Sequence, residues 1–103
     1  MTLSWRARRP ITTERADTIA DGIAARVPVP EALELMLAGV DEMRLVDEAT
    51  IIGATVDLSA VLPLAIEPSA GAAWGAVLQE PPRGAVAIVL TGGNVAQPDA
   101  PVA

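Results

Sequence analysis

A hydroxyl, two glycines and a side-chain amide stand together where an apolar run ends: Ala85-Val86-Ala87-Ile88-Val89-Leu90 leads straight into Thr91-Gly92-Gly93-Asn94. Glycines in such a place let a ligand touch backbone, and Thr91 offers a neutral hydrogen-bonding group. Two earlier segments carry related residue types. Thr18-Ile19-Ala20-Asp21-Gly22-Ile23 sets a carboxylate beside a glycine, and Glu67-Pro68-Ser69-Ala70-Gly71-Ala72 sets a carboxylate ahead of a run of small residues. All seven basic residues are arginine, and the chain has no lysine, histidine or cysteine. Disulfides, thiolate nucleophiles, Cys-based metal sites and the commonest acid/base side chain are therefore excluded.

Each of these residues also has a plainer reading. Thr91-Gly92-Gly93-Asn94 alone is an ordinary strand-to-loop turn. Glu67 is favoured near a helix N-terminus by the helix dipole, and Asp21 next to Gly22 is a common turn former. The pairs Glu31/Glu34 and Asp41/Glu42 read as solvated helix acids rather than a catalytic dyad. No G-x-G-x-x-G is present, so a dinucleotide-binding domain is not indicated.

The elements that must position these groups follow from the punctuation of the chain. Residues 1–17, with three arginines and Pro10, read as a loop, and Thr18 to Ala25 as a loop lining a site. Val27-Pro28-Val29-Pro30 is extended, because each proline disfavours helix in the residue before it. A helix is predicted from Pro30 or Glu31 to Gly39, with Leu33, Met36, Leu37 and Val40 on its apolar stripe. Met43-Arg44-Leu45-Val46 reads as a short strand. Asp47 is a suitable N-cap for a helix carrying Ile51, Ile52, Val56 and Val61 and ending at Pro63. Pro68 opens another helix whose face of Gly71, Ala72, Ala73, Gly75 and Ala76 allows close approach of a neighbour. Pro81-Pro82 marks a turn, and Ala85 to Leu90 reads as a buried strand. Residues 96–103 read as a disordered tail. The order is loop, α, β, α, α, β, which is part of an α/β domain: two strands do not make a stable parallel sheet.

At 103 residues the chain accommodates one small domain. Its hydrophobic fraction is 51 %, carried by alanine and aliphatics, and Trp5 and Trp74 are its only aromatics. A core without large rings at this length is marginal by itself, which indicates a piece of a larger fold or a need for a partner. The net charge of −6 argues against nucleic-acid binding, since phosphate contacts need a basic surface. The arginines near the start precede no apolar segment of signal-peptide type, and the apolar stretch from Ile51 to Ile66 is interrupted by Asp57 and Pro63. The expectation is a soluble, cytoplasmic chain without membrane or nucleic-acid partners.

Taken in order, the motifs resemble the C-terminal portion of the threonine dehydratase (serine/threonine ammonia-lyase) family, pyridoxal-phosphate enzymes of the tryptophan-synthase-β-like fold that include serine racemase. Arg15 to Ala24 is similar to the family's loop beside the cofactor, and Val40 to Ala49 to its helix-strand-helix connection. Glu67 to Ala73 is similar to its pocket-lining helix start, and Val89 to Val95 to its final strand and cofactor turn. The resemblance runs from about Trp5 to Val95.

It implies an α/β fold, the C-terminal half of the large domain of a fold type II enzyme, with residues 1–103 a single partial domain. It implies pyridoxal 5'-phosphate as cofactor. Cofactor-contacting positions would be Thr91, whose hydroxyl meets the pyridine nitrogen, Gly92 and Gly93, which let backbone pass close to the ring, Gly22 from the other loop, Glu67 from the pocket wall, and Asn94, which orders the turn. A neutral hydroxyl at that nitrogen does not hold it protonated as a carboxylate would, which suits β-elimination better than transamination. Trp74 stands where the family usually has a small or aliphatic residue.

The resemblance also implies what this chain lacks. The family's cofactor-bonding lysine, its glycine-rich phosphate loop and its asparagine for the ring hydroxyl lie N-terminal to the matched region, and so do its divalent-cation carboxylates. No catalytic residue and no metal ligand is therefore assigned here. The expected activity is α,β-elimination of L-threonine or L-serine, competent only with an N-terminal portion and, in the intact enzyme, in a homo-oligomer. The alternative is a non-catalytic remnant or paralogue that associates with a full-length relative. A third reading is a small independent α/β domain of other function.

Overall fold

The computed structural model describes residues 1–91, and these form four α-helices and one short 3-10 turn: α1 (Thr2–Ala7), the 3-10 turn (Asp21–Ile23), α2 (Pro30–Gly39), α3 (Glu48–Val61) and α4 (Pro68–Gln79). The punctuation explains the last three. Pro30 and Pro68 occupy the first turns of α2 and α4, where a missing amide costs nothing. Asp47 caps α3, its side chain accepting the Thr50 amide at 2.8 Å. Leu62, extended ahead of Pro63, ends it.

α1 departs from the loop expected over residues 1–17. Six residues are too few to hold a helix by local propensity, so tertiary ties must hold this one. Its C-terminus closes on Arg8 in the left-handed region (φ 58°), with the Arg8 and Arg9 amides donating back to the Trp5 and Ser4 carbonyls at 3.2 Å each. Ser4, 1 % exposed, exchanges two hydrogen bonds with Ile11: its hydroxyl donates to the carbonyl at 3.2 Å and accepts the amide at 2.9 Å. α1 also packs on α2.

The centre of the molecule is the packing of α3 against α4. A β-carbon on Gly71 would collide with Thr55 Oγ1, and one on Gly75 would lie 3.0 Å from Val46 Cγ1 and 3.2 Å from Thr50 Cγ2. The small face of α4 thus brings the helices closer than alanine would permit at these positions. The buried stripe of α3 is Ile51, Ala54 and Leu58. Of the residues expected on it, Ile51 is buried, but Ile52, Val56 and Val61 are exposed, at 48, 62 and 74 %. The contact selects the face whose side chains fit against glycine, not the bulkiest face.

Two apolar clusters result. Ala20, Ile51 and Ala72 form one, with Val46 against them. Leu58, Ile66 and Ala70 form the other, with Leu62, Trp74, Ile88 and Leu90 packed around it. Trp74 is therefore part of the second cluster.

Neither expected strand forms among the described residues: Met43–Val46 and Ala85–Leu90 carry no ladder. The fold of these residues is helical, and the α/β class expected from the sequence is not seen in them. A strand exists through its hydrogen-bonded neighbour, and these two runs do not pair with one another. Ala85–Leu90 is not buried as expected either. Ile88 and Leu90 turn toward the Trp74 cluster, while Val86 and Val89 are 47 and 75 % exposed. The radius of gyration, 15.2 Å, exceeds the about 13 Å of a compact domain of this length.

Candidate functional site

Loop 18–23 lies over the start of α4 and brings Gly22 against Glu67 and Ser69. A β-carbon on Gly22 would stand 2.7 Å from Ser69 Oγ and 3.4 Å from Glu67 Oε2. Glycine is the residue that permits this approach. Glu67 is 5 % exposed. Ser69 Oγ is buried without a partner. Buried polar atoms are normally satisfied, so an unsatisfied hydroxyl and a buried carboxylate beside a backbone with no side chain form a wall suited to a polar ligand.

The loop is held on two sides. Ala20, fully buried, seats it on Ile51 of α3 and Ala72 of α4. The Ile19 amide donates to Glu48 Oε2 at 2.9 Å, and the Thr18 hydroxyl accepts the Ala20 amide at 3.1 Å. The Ile19 amide, then Thr18, hold the Glu48 carboxyl below the usual range. Asp47 is lowered too, chiefly by the Thr50 amide.

A cleft of about 610 Å³ opens beside this loop, with Val46, Ile51, Ala72 and Ala73 as apolar lining and Arg44 and Ser69 among its polar groups. Arg44 anchors its edge. Its guanidinium binds Glu42 at 3.0 and 3.3 Å and donates to the Glu80 carbonyl at 3.1 Å, tying the segment after α2 to the end of α4. The hydrogen bond from Arg44 also lowers the Glu42 carboxyl.

Of the positions named from sequence, Gly22 and Glu67 are brought together. Thr91 is exposed at the end of the described chain, and Gly92, Gly93 and Asn94 lie outside the described residues, as does the tail 96–103. Ser69 and Glu48 were not singled out. Ser69 stands inside the Glu67–Ala72 motif and could have been read from it. Glu48 reads from sequence only as a first-turn acid, because its partner is 29 residues away. Among the described residues no group of three or more histidine, cysteine, aspartate or glutamate side chains could hold a metal, and no helix is long and apolar enough to cross a membrane.

Residues 1–92 match the sequence model of a family described as pyridoxal-phosphate dependent enzyme. No curated protein and no solved structure matches the chain.

Proposed function

The chain belongs to the pyridoxal-phosphate dependent enzyme family, whose cofactor is pyridoxal 5'-phosphate, and from that membership we propose that it is the C-terminal part of a threonine/serine dehydratase. The intact reaction removes the α-proton and the β-hydroxyl of L-threonine or L-serine as water. Hydrolysis of the released enamine then gives 2-oxobutanoate or pyruvate and ammonia.

The observation that carries this reading is the meeting of Gly22 with Glu67 and Ser69. The resemblance places Gly22 and Glu67 beside one cofactor, and in the folded chain they stand within contact distance. The residues fit the group: a backbone edge without a side chain, a buried carboxylate and a buried hydroxyl, the last lacking a partner. When bound, the cofactor supplies an electron sink for the negative charge left at Cα. Gly22 admits the ring edge. Glu67 and Ser69 offer it polar atoms. Thr91 offers its hydroxyl to the pyridine nitrogen, with Gly92, Gly93 and Asn94 shaping the turn.

A lysine is required for this chemistry and this sequence contains none. The lysine, the phosphate-binding loop and the partners of the two unpaired strand segments come from an N-terminal portion, in a cytoplasmic homo-oligomer. The unpaired segment Ala85–Leu90, with Val86 and Val89 exposed, also suits the second reading, a non-catalytic paralogue that associates with a full-length relative.

Co-expression separates the two. The chain is produced with an N-terminal portion carrying the lysine and phosphate loop, and 2-oxo acid release from threonine and serine is measured. Activity in the pair and none in the chain alone is expected. A stable but inactive pair supports the associating paralogue, and release by the chain alone would overturn the need for a lysine.

A further inference from the structure

We propose that Glu48 is a positioning residue for the Gly22–Glu67–Ser69 wall: by accepting the Ile19 amide it locks loop 18–23 in the register that sets Gly22 against α4. The identity of the wall as a cofactor surface rests on the function proposed above; the positioning itself does not.

Three observations carry it. The approach is tight, since a β-carbon on Gly22 would lie 2.7 Å from Ser69 Oγ, so a shift of a few tenths of an ångström in the loop opens or closes the wall. The apolar anchor is small. Ala20 is the loop's buried residue, and one methyl group against Ile51 and Ala72 fixes where the loop sits, not how it is turned. The side chains of Ile19 and Ile23 add little to this anchor, at 42 and 60 % exposure. The bond at 2.9 Å from Ile19 to Glu48 is directional and acts on the residue next to that anchor. Thr18 adds a second local tie, its hydroxyl accepting the Ala20 amide at 3.1 Å.

Glu48 is also placed to transmit the geometry of the helix pair. It is the first residue of α3, whose opposite contact is α4, the helix that begins with Glu67 and Ser69 at its edge. One carboxylate therefore links the two walls of the crevice through a rigid helix. Asp47 cannot substitute, because its carboxylate is engaged as the cap of α3.

The test is amide hydrogen exchange by NMR on the full 103-residue chain, comparing wild type, Glu48→Ala and Glu48→Gln. The alanine variant is expected to raise exchange at Ile19, Ala20, Ile23 and Ala24 by about tenfold or more, with the amides of Ala76 and Val77 inside α4 unchanged. The contact between the Gly22 α-protons and the Ser69 β-protons, seen as a nuclear Overhauser effect, is lost with it. Glutamine keeps an acceptor oxygen and restores most of both. Unchanged loop amides in the alanine variant, equal loss of protection throughout α3 and α4, or failure of glutamine to rescue would each overturn the proposal. Because none of these readouts involves turnover, an inactive co-expressed pair would count against the dehydratase reading alone.

Discussion

Gly22 and Ser69 compete for one volume: a β-carbon on the first would stand 2.7 Å from the hydroxyl of the second. Ser69 Oγ is the end of a short side chain and can rotate, so Gly22→Ala is expected to cost the fold about 1 kcal/mol or less. Its effect on the site is larger, because the methyl group and the displaced hydroxyl fill the crevice. In the reconstituted enzyme Gly22→Ala should weaken cofactor binding about tenfold, measured by absorbance titration with pyridoxal 5'-phosphate, and Ser69→Ala in the same chain should recover part of it. Unaltered affinity would remove Gly22 from the site.

Gly71 and Gly53 predict opposite outcomes for the same substitution. At Gly71 a β-carbon meets Thr55 Oγ1 and lies 3.1 Å from the Ile51 carbonyl, which cannot rotate aside. Thr55 is itself fixed, donating to that carbonyl at 2.7 Å. Overpacking of about 1–3 kcal/mol then outweighs the ~1 kcal/mol that alanine gains over glycine in a helix. At Gly53 nothing lies within 4 Å, so only the helix gain remains. Thermal unfolding should show Gly71→Ala destabilised and Gly53→Ala stabilised.

Acid should loosen the start of α3 before neutral pH changes affect it. Hydrogen bonds from the Thr50 and Ile19 amides hold the Asp47 and Glu48 carboxyls below their ordinary values in the folded chain. A depressed folded pKa stabilises above the unfolded pKa, and that contribution is lost as pH falls through the folded value. The unfolding midpoint should be level above about pH 5 and decline below about pH 4. Asp47→Asn and Glu48→Gln should flatten that decline; thermal melts between about pH 3 and pH 7 check it.

Thr91 tests the reaction class. In the reconstituted enzyme Thr91→Asp would place a carboxylate at the pyridine nitrogen and favour its protonation. Elimination from threonine should fall relative to transamination, read as 2-oxobutanoate formed against amino-group transfer. Unchanged partitioning would undo the assignment of Thr91 to that nitrogen.

The helices α2, α3 and α4 were legible because their limits are local chemistry. Pro30 and Pro68 suit first turns, Asp47 caps with its own side chain, and Pro63 stops what precedes it. Ser4 shows the opposite case: nothing near it in sequence announces α1, and its two bonds to Ile11 help hold that helix in place. The buried stripe of α3 departs from the expected one for a related reason, since Ala54 is buried against Gly75 of α4 and Leu58 against Ile66 and Ala70.

By itself, then, the sequence determined the residue types available for chemistry, the helix punctuation and the family to which residues 1–92 belong. These depend on interactions within a few residues, or on motif order. Only the tertiary structure decided that Gly22 meets Glu67 and Ser69, that Glu48 holds the Ile19 amide, and that Met43–Val46 and Ala85–Leu90 have no strand partner among the described residues. Those outcomes depend on what packs against each segment, and a strand or a convergent site is a property of the pair of segments that meet.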